Sequence, residues 1–386
     1  MRVGFLLNGY GSGWLGGKNY YRNLISAILA LPNRKIQPVI VTGAQEGAFF
    51  QEFPAIEILS TDMLSQGHPM ARIRRKTATW FAKDWLLELF LRAHQIDVVS
   101  HAAKSTAIPT AGWVADFQHV HLKHFFSEEE RGQRDRDYTR LCRECDRVIV
   151  SSESAKMDLE AFAPKYSHKA EVLRFVANPE PRTDTPEELA DLRRRYDVDE
   201  GYFLLPNQFW AHKNHRIVID ALSILQERGK KVLVLATGST EDYRNPDFYK
   251  ELMRYAQERK VLGSFRVLGI VPFDDLTALM RNAIAFINPS RFEGWSTTVE
   301  EAKSLGKSII ISDISVHREQ APERGTYFPP DDAPALAELL WTTWTSYSAE
   351  SDLRMRERAQ RSFPDRQIEF ALRYQEIILK TLESNT

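Results

Sequence analysis

The feature that most constrains this chain is an alternation of short apolar runs with helix-patterned segments, broken once near residue 180. Val3 to Asn8 reads as a buried strand, Asn19 to Leu31 as a helix with Leu24, Ile25, Ile28 and Leu31 on one face, and Ile36 to Thr42 as a second strand. Strand, helix, strand implies a parallel sheet with right-handed crossovers. Further strand candidates are Ala55–Leu59, Asp97–Ser100, Arg147–Ser151 and Ala170–Phe175. The proline-rich, polar stretch Asn178 to Pro186 reads as a linker. Beyond it the alternation restarts with Tyr202–Leu205, Lys231–Thr237, Phe265–Leu268, Ala283–Asn288, Lys307–Ser312 and Thr326–Phe328. Two halves of like architecture, 1–180 and 181–365, predict two doubly wound α/β domains with a cleft between them. A strongly helical tail, Gln367 to Leu382, follows.

Composition removes several function classes. A net charge of −1 over 386 residues gives no electrostatic case for nucleic acid. Two cysteines make no disulfide framework, which fits a reducing compartment. The apolar start of the N-terminus is too short for a signal peptide, and no run approaches the roughly 20 apolar residues of a spanning helix. The expectation is a cytoplasmic protein, able to touch the inner face of a membrane from the side.

The stretch Arg291-Phe-Glu-Gly-Trp-Ser-Thr-Thr-Val-Glu-Glu-Ala302 carries the chemistry. It follows the Ala283–Asn288 strand, breaks at Pro289-Ser290, and turns at Glu293-Gly294. A helix then begins, with Ser296, Thr297 or Thr298 as cap and Glu300 or Glu301 where a capping acid belongs. The loop thus delivers one carboxylate, Glu293, beside the positive end of a helix, and a second, Glu301, one turn inside it. Helix-start N–H groups attract phosphate, and carboxylates accept hydrogen bonds from hydroxyls. That is the donor and acceptor set a nucleotide-sugar needs.

Glu293 and Glu301, with seven residues between them and Ala302 following, resemble the Glu-seven-Glu signature of family 4 retaining glycosyltransferases of the GT-B fold. The resemblance extends more weakly along nearly the whole chain. It implies two Rossmann-like domains facing a central cleft and a C-terminal helix, 366–386, crossing back to the first. It further implies that Glu293 contacts the donor sugar and Glu301 the ribose. Ser296, Thr297 and Thr298 stand where the family has Gly-Leu-Pro, placing extra hydroxyls near the phosphates. Pro206 to His215 resembles the family's Gly-Arg-Leu…Lys-Gly segment. There Lys213 matches the Lys of the diphosphate clamp, and Gln208 replaces the Arg, bringing no charge; Arg291 or the helix start could complete the clamp. Leu268-Gly-Ile-Val-Pro272 resembles the segment whose backbone, here near Val271, pairs with the nucleobase, although an ordinary strand-to-helix turn explains the same residues.

The first half holds five further motifs. Gly11-Ser-Gly-Trp-Leu-Gly16 is a literal GxGxxG, but the second strand ends Val41-Thr42-Gly43, without the acid a dinucleotide site needs. Either Gly16-Gly17 lets backbone approach a ligand, like the glycine-rich first loop of the family, or these are turn glycines only. Ala115-Asp-Phe-Gln-His-Val-His resembles the family's His-Asp segment. Asp116 matches the Asp, Ala115 stands in place of the His, and His119 or His121 is left to supply its contact. No clear third ligand supports zinc there. Cys142-Arg-Glu-Cys145 lacks a second pair and reads as core filler, and Asp135-Arg-Asp137 reads as a solvated helix face. Residues 68–95 interleave Arg72, Arg74, Arg75, Lys76 and Lys83 with Trp80, Phe81 and Trp85. This fits either a membrane-surface helix or one packed on its own domain.

The expectation is therefore a retaining transferase moving a hexose from a GDP- or UDP-sugar to a saccharide or lipid-linked saccharide, with no metal or other cofactor. Glu293, Lys213 and His119 are its catalytic candidates. Gly16, Gly17, Asp116, Gln208, Val271, Ser296, Thr297, Thr298 and Glu301 are its donor-binding candidates. A non-catalytic nucleotide-sugar-binding subunit and an epimerase on the same fold are the alternatives.

Overall fold

The computed structural model describes residues 1–7, 15–44, 50, 53, 56–81, 83–179, 184–198 and 201–384. It divides into two compact units, 1–176 with 365–386, and 177–364. The first contains β1 (Arg2–Leu6), α1 (Leu15–Ala30), β2 (Gln37–Thr42), β3 (Glu57–Ser60), α2 (Pro69–Phe81), α3 (Trp85–Ala93), β4 (Val98–Ser100), β5 (Thr110–Val114), α4 (Gln118–His121), α5 (Glu128–Glu144), β6 (Arg147–Val150), α6 (Glu153–Phe162) and β7 (Ala170–Val172). The strands form a parallel seven-stranded sheet in the order β3-β2-β1-β4-β5-β6-β7. Each inner strand is buried on both faces, which is why β1, β2 and β6 read as unbroken apolar runs.

The second unit contains α7 (Pro186–Tyr196), β8 (Phe203–Leu205), α8 (His215–Glu227), β9 (Val234–Thr237), α9 (Phe248–Glu258), β10 (Phe265–Gly269), α10 (Phe273–Asn282), β11 (Ala285–Asn288), α11 (Thr297–Leu305), β12 (Ser308–Ser312), α12 (Ser315–Gln320), β13 (Gly325–Phe328) and α13 (Ala333–Thr345). Its six strands are parallel in the order β10-β9-β8-β11-β12-β13. One core cluster gathers Phe203, Val218, Leu222, Phe265 and Leu336; another gathers Leu204, Phe286, Val299, Ala302 and Ile309. Neighbouring residues of β8 alternate between the two, as the period-two geometry of a strand requires.

A last helix, α14 (Ala349–Glu383), starts in the second unit and ends in the first. In the second unit its Asp352 meets the buried Lys307 ammonium at 2.6 Å. In the first, the Tyr374 hydroxyl donates to Ser100 Oγ at 2.8 Å, and the Gln375 side chain accepts from the Lys35 N–H at 2.7 Å.

The sequence-based outline differs from the structure at identifiable places. The stretch expected to be linker runs into a capped helix at its end. Thr185 caps α7 in a reciprocal capping box with Glu188, Pro186 takes the first helical position, and Asp184 pairs with the buried Arg281. The basic-aromatic stretch is two helices, with Asp84 capping α3 by accepting from the Leu87 N–H at 3.2 Å. Most of the GxGxxG motif, residues 11–14, lies outside the described residues; Gly16 and Gly17 sit in the first turn of α1.

Candidate active site

In each sheet the strand order reverses beside the first strand, and in the second unit that switch falls between β8 and β11. Ligands of open parallel sheets collect beyond the carboxyl ends of strands at such a point. The loop after β8 carries Lys213 and the loop after β11 carries Glu293. Their side chains meet, Lys213 Nζ to Glu293 Oε1 at 2.7 Å, with only 15% and 10% of each exposed. Burial pushes the Glu293 carboxyl up, but the Lys213 charge and hydrogen bond, with smaller help from His317 and Ser290, overcome this and hold it below the usual carboxylate range.

Local structure fixes both residues. Lys213 ends a single helical turn, and Asn214 follows in the left-handed conformation at φ 58°. The Asn214 amide donates to Pro289 O at 3.1 Å and Pro330 O at 2.9 Å, tying the Lys213 loop to the root of the Glu293 loop. Below Glu293 runs a buried polar network. The Ser290 hydroxyl donates to Asn288 Oδ1 at 2.6 Å, and the Asn288 amide donates to Ser296 Oγ at 2.7 Å. Asn207 Nδ2 donates to Asn288 Oδ1 at 3.3 Å, and the Thr298 hydroxyl to Asn207 Oδ1 at 3.2 Å.

Ser296 is the cap of α11, its Oγ accepting from the Val299 N–H at 3.3 Å. The capping acid expected at Glu300 or Glu301 is not used; Val299 occupies the third position. Glu300 is buried and takes hydrogen bonds from Lys303 at 3.0 Å and Gln320 at 3.1 Å. Gln320 also clasps the backbone N–H and C=O of Ser296. The N–H groups of Thr297 and Thr298 make no backbone hydrogen bond among the described residues, as the first two positions of a helix dictate. Half-buried Glu301 has no hydrogen-bond partner there either, and burial pushes its carboxyl up to about 8.

Other candidates fall into place with different prospects. Val271 lies in the turn before α10, its N–H and C=O without a backbone partner among the described residues. Gln208 follows β8, its Oε1 buried without a hydrogen-bond partner among the described residues. The backbone there is pressed by Gly238 at φ 130°, where an added Cβ would lie 2.7 Å from Asn207 O. Arg291 is exposed and ion-paired to Asp331 at 2.6 Å. Asp116 accepts from the Gln118 N–H at 2.9 Å. His119 is not brought to a free surface. Its ring is 2% exposed, packs against Phe117, Tyr138 and Phe162, and approaches Asp135 at 3.2 Å; burial lowers its basicity. His121 pairs with Asp158 at 2.7 Å. Both cysteines are buried free thiols, pushed up by burial to about 11 for Cys142 and about 12 for Cys145.

Two parallel Rossmann-like sheets, with a Lys–Glu pair and a helix start at the switch point of the second, define the class of GT-B proteins. Residues 16–174 match the family model Glycosyltransferase Family 4, and residues 191–362 match Glycosyl transferases group 1. The chain belongs to the family 4-like glycosyltransferases of the GT-B fold. It is 25% identical over 154 residues to O-antigen chain mannosyltransferase B of Escherichia coli, covering 40% of this chain and 39% of the relative. It is 24% identical over 188 residues to O-antigen chain mannosyltransferase RfbU of Salmonella typhimurium, covering 49% and 48%. The matched stretch thus spans less than half the length of each curated relative. Among solved structures, Anabaena HepE in complex with UDP-glucose superposes with a TM-score of 0.71 at 16% identity, covering 100% of both chains. WaaG, a glycosyltransferase involved in lipopolysaccharide biosynthesis, does so with a TM-score of 0.61 at 16% identity, covering 99% and 98%. At these identities the superpositions speak to the fold alone.

Proposed function

We propose that this chain transfers a hexose from a nucleotide-diphosphate sugar to a hydroxyl of a saccharide acceptor, with retention at the anomeric carbon and without a metal. The observation that carries this reading is the Lys213–Glu293 pair at the switch point, flanked by the open start of α11 and by Glu301. Departure of a nucleoside diphosphate accumulates negative charge, and fixed positive groups aimed at that charge are the largest rate term in many enzymes. Lys213 and the Thr297 and Thr298 N–H groups supply them. Glu293, released from Lys213, orients the sugar hydroxyls. Glu301 accepts from the ribose, and the Val271 backbone meets the base. The leaving phosphate takes the acceptor proton, so no side-chain base is required.

The names of the sequence relatives favour a mannosyl donor and an O-antigen-type saccharide acceptor; we further propose that this acceptor is lipid-linked and is reached at the inner face of a membrane. Exposed Trp80, Phe81, Trp85 and Leu89 on α2 and α3, among Arg72, Arg75 and Lys76, support such peripheral contact. A thermal-shift screen of the full chain against GDP- and UDP-sugars tests the donor reading, because a ligand that binds only the folded state raises its melting temperature. A shift with one donor, followed by sugar transfer from it, is expected; no shift across the panel would refute it.

A further inference from the structure

His317, on α12, is 0% exposed, and among the described residues one of its two ring nitrogens is engaged. Its Nδ1 lies 2.8 Å from the Ser312 carbonyl oxygen. A carbonyl only accepts, so Nδ1 carries the hydrogen and Nε2 carries a lone pair. That Nε2 is buried without a hydrogen-bond partner among the described residues. The Ser312 hydroxyl in turn donates to Ser290 O at 2.5 Å, three residues before Glu293, so the imidazole is fastened to the root of the acid loop. Glu293 after β11, Lys213 after β8 and Asp313 after β12 act on the ring by their charges.

The Lys213–Glu293 pair poses a problem for the donor chemistry on which this inference rests. If Lys213 swings to a diphosphate, Glu293 loses its ammonium partner in a site where only 10% of its side chain is exposed. A buried carboxylate without a counter-charge tends to protonate, and a protonated one orients sugar hydroxyls poorly. We propose that His317 is a positioning residue that takes a proton on Nε2 when the diphosphate recruits Lys213, replacing Lys213 as the counter-charge of Glu293. One N–H bond forms, the proton comes from bulk water, and nothing is oxidised or reduced. Before the diphosphate arrives, the ring stays neutral, because burial and the Lys213 charge both disfavour the imidazolium.

The test uses the full chain labelled with 15N-histidine, with UDP and GDP each as the probe. Long-range proton–nitrogen spectra, assigned with His317→Gln, are expected to show Nε2 changing from a lone-pair nitrogen to a protonated one on saturation at pH 7. Titration calorimetry in buffers of different ionisation enthalpy is expected to show about one proton more taken up by wild type than by His317→Gln. This difference cancels protons exchanged by Glu301 or by the nucleotide itself. Were the variant to fail to fold, the spectra of the wild-type protein alone decide. Nucleotide binding with an unchanged Nε2, or with equal proton uptake in the two proteins, overturns this role alone. No thermal shift with either nucleotide overturns the donor reading, and this role with it.

Discussion

At the residue scale, one ion pair carries two opposed tasks. Lys213 and Glu293 neutralise each other at 2.7 Å, whereas the chemistry proposed for them needs both free. Lys213→Ala and Glu293→Ala are each expected to lower transfer more than tenfold, which is above about 1.4 kcal/mol of lost transition-state stabilisation. Steady-state assays on variants of confirmed fold check this; near-normal activity in either removes that residue from the mechanism. Glu301 is the converse case, a carboxyl with no partner among the described residues, held up at about 8 by burial. The folded state then binds a proton that the unfolded chain releases near the ordinary Glu value of about 4.3. Its contribution is therefore present below that value and is lost as pH rises toward 8. Glu301→Gln is expected to remove this slope, so thermal melts between pH 5 and 9 separate the two proteins most at the alkaline end. Melts that stay parallel would show that Glu301 ionises normally.

At the element scale, α11 owes its placement to Ser296. The hydroxyl caps the helix and receives the Asn288 amide, while Gln320 holds the Ser296 backbone. Ser296→Ala removes a cap worth about 1 kcal/mol and leaves a buried amide donor unsatisfied at about 1–3 kcal/mol more. A loss of roughly 2–4 kcal/mol in denaturant unfolding is expected, against well under 1 kcal/mol for the half-buried Thr297→Ala. The start of α14 is held by charge instead. Lys307 and Asp352 are 1% and 3% exposed, and Arg324 reaches the same carboxylate at 3.1 Å. Burial pushes the Lys307 ammonium down, and Asp352 opposes this, leaving it at about 8. Asp352→Ala strands that cation and is expected to cost about 3–5 kcal/mol. Restoration by Lys307→Met in the same chain would identify the stranded charge as the cause.

At the scale of the whole molecule, the exposed aromatic patch on α2 and α3 is the surface that separates membrane association from simple packing. Arg74 does not belong to it, since its guanidinium is largely buried against Asp84 at 3.2 Å. The informative variant is Trp80→Ser with Phe81→Ser, at 77% and 65% exposure. Wild type is expected to float with anionic vesicles and the double variant to stay behind; equal, negligible flotation of both would end the membrane proposal. Activity in EDTA is expected to be undiminished, and a strict requirement for Mg²⁺ or Mn²⁺ would refute the metal-free scheme.

The parallel strands were legible in the chain because strands buried on both faces need uninterrupted apolar residues, and Ala285–Asn288 or Ser308–Ser312 admit little else. The Glu293 and Glu301 spacing was legible because loop and helix turn are contiguous in sequence. Strand ends moved by up to three residues, as at Ala170–Val172 and Val234–Thr237, because the last rungs of a ladder depend on a neighbouring strand rather than on local pattern. The sequence alone could not reveal that Lys213 closes on Glu293 across 80 positions, or that Gln320 holds Ser296 across 24. Nor could it reveal that His317 keeps a buried Nε2 without a partner among the described residues, or that His119 is walled in by aromatic rings. Which polar groups meet depends on strand order, and strand order is set by crossovers that bring distant loops to one end of a sheet. Periodicity determined what is buried, and only the tertiary arrangement decided which buried charges find partners and which are left waiting for a ligand.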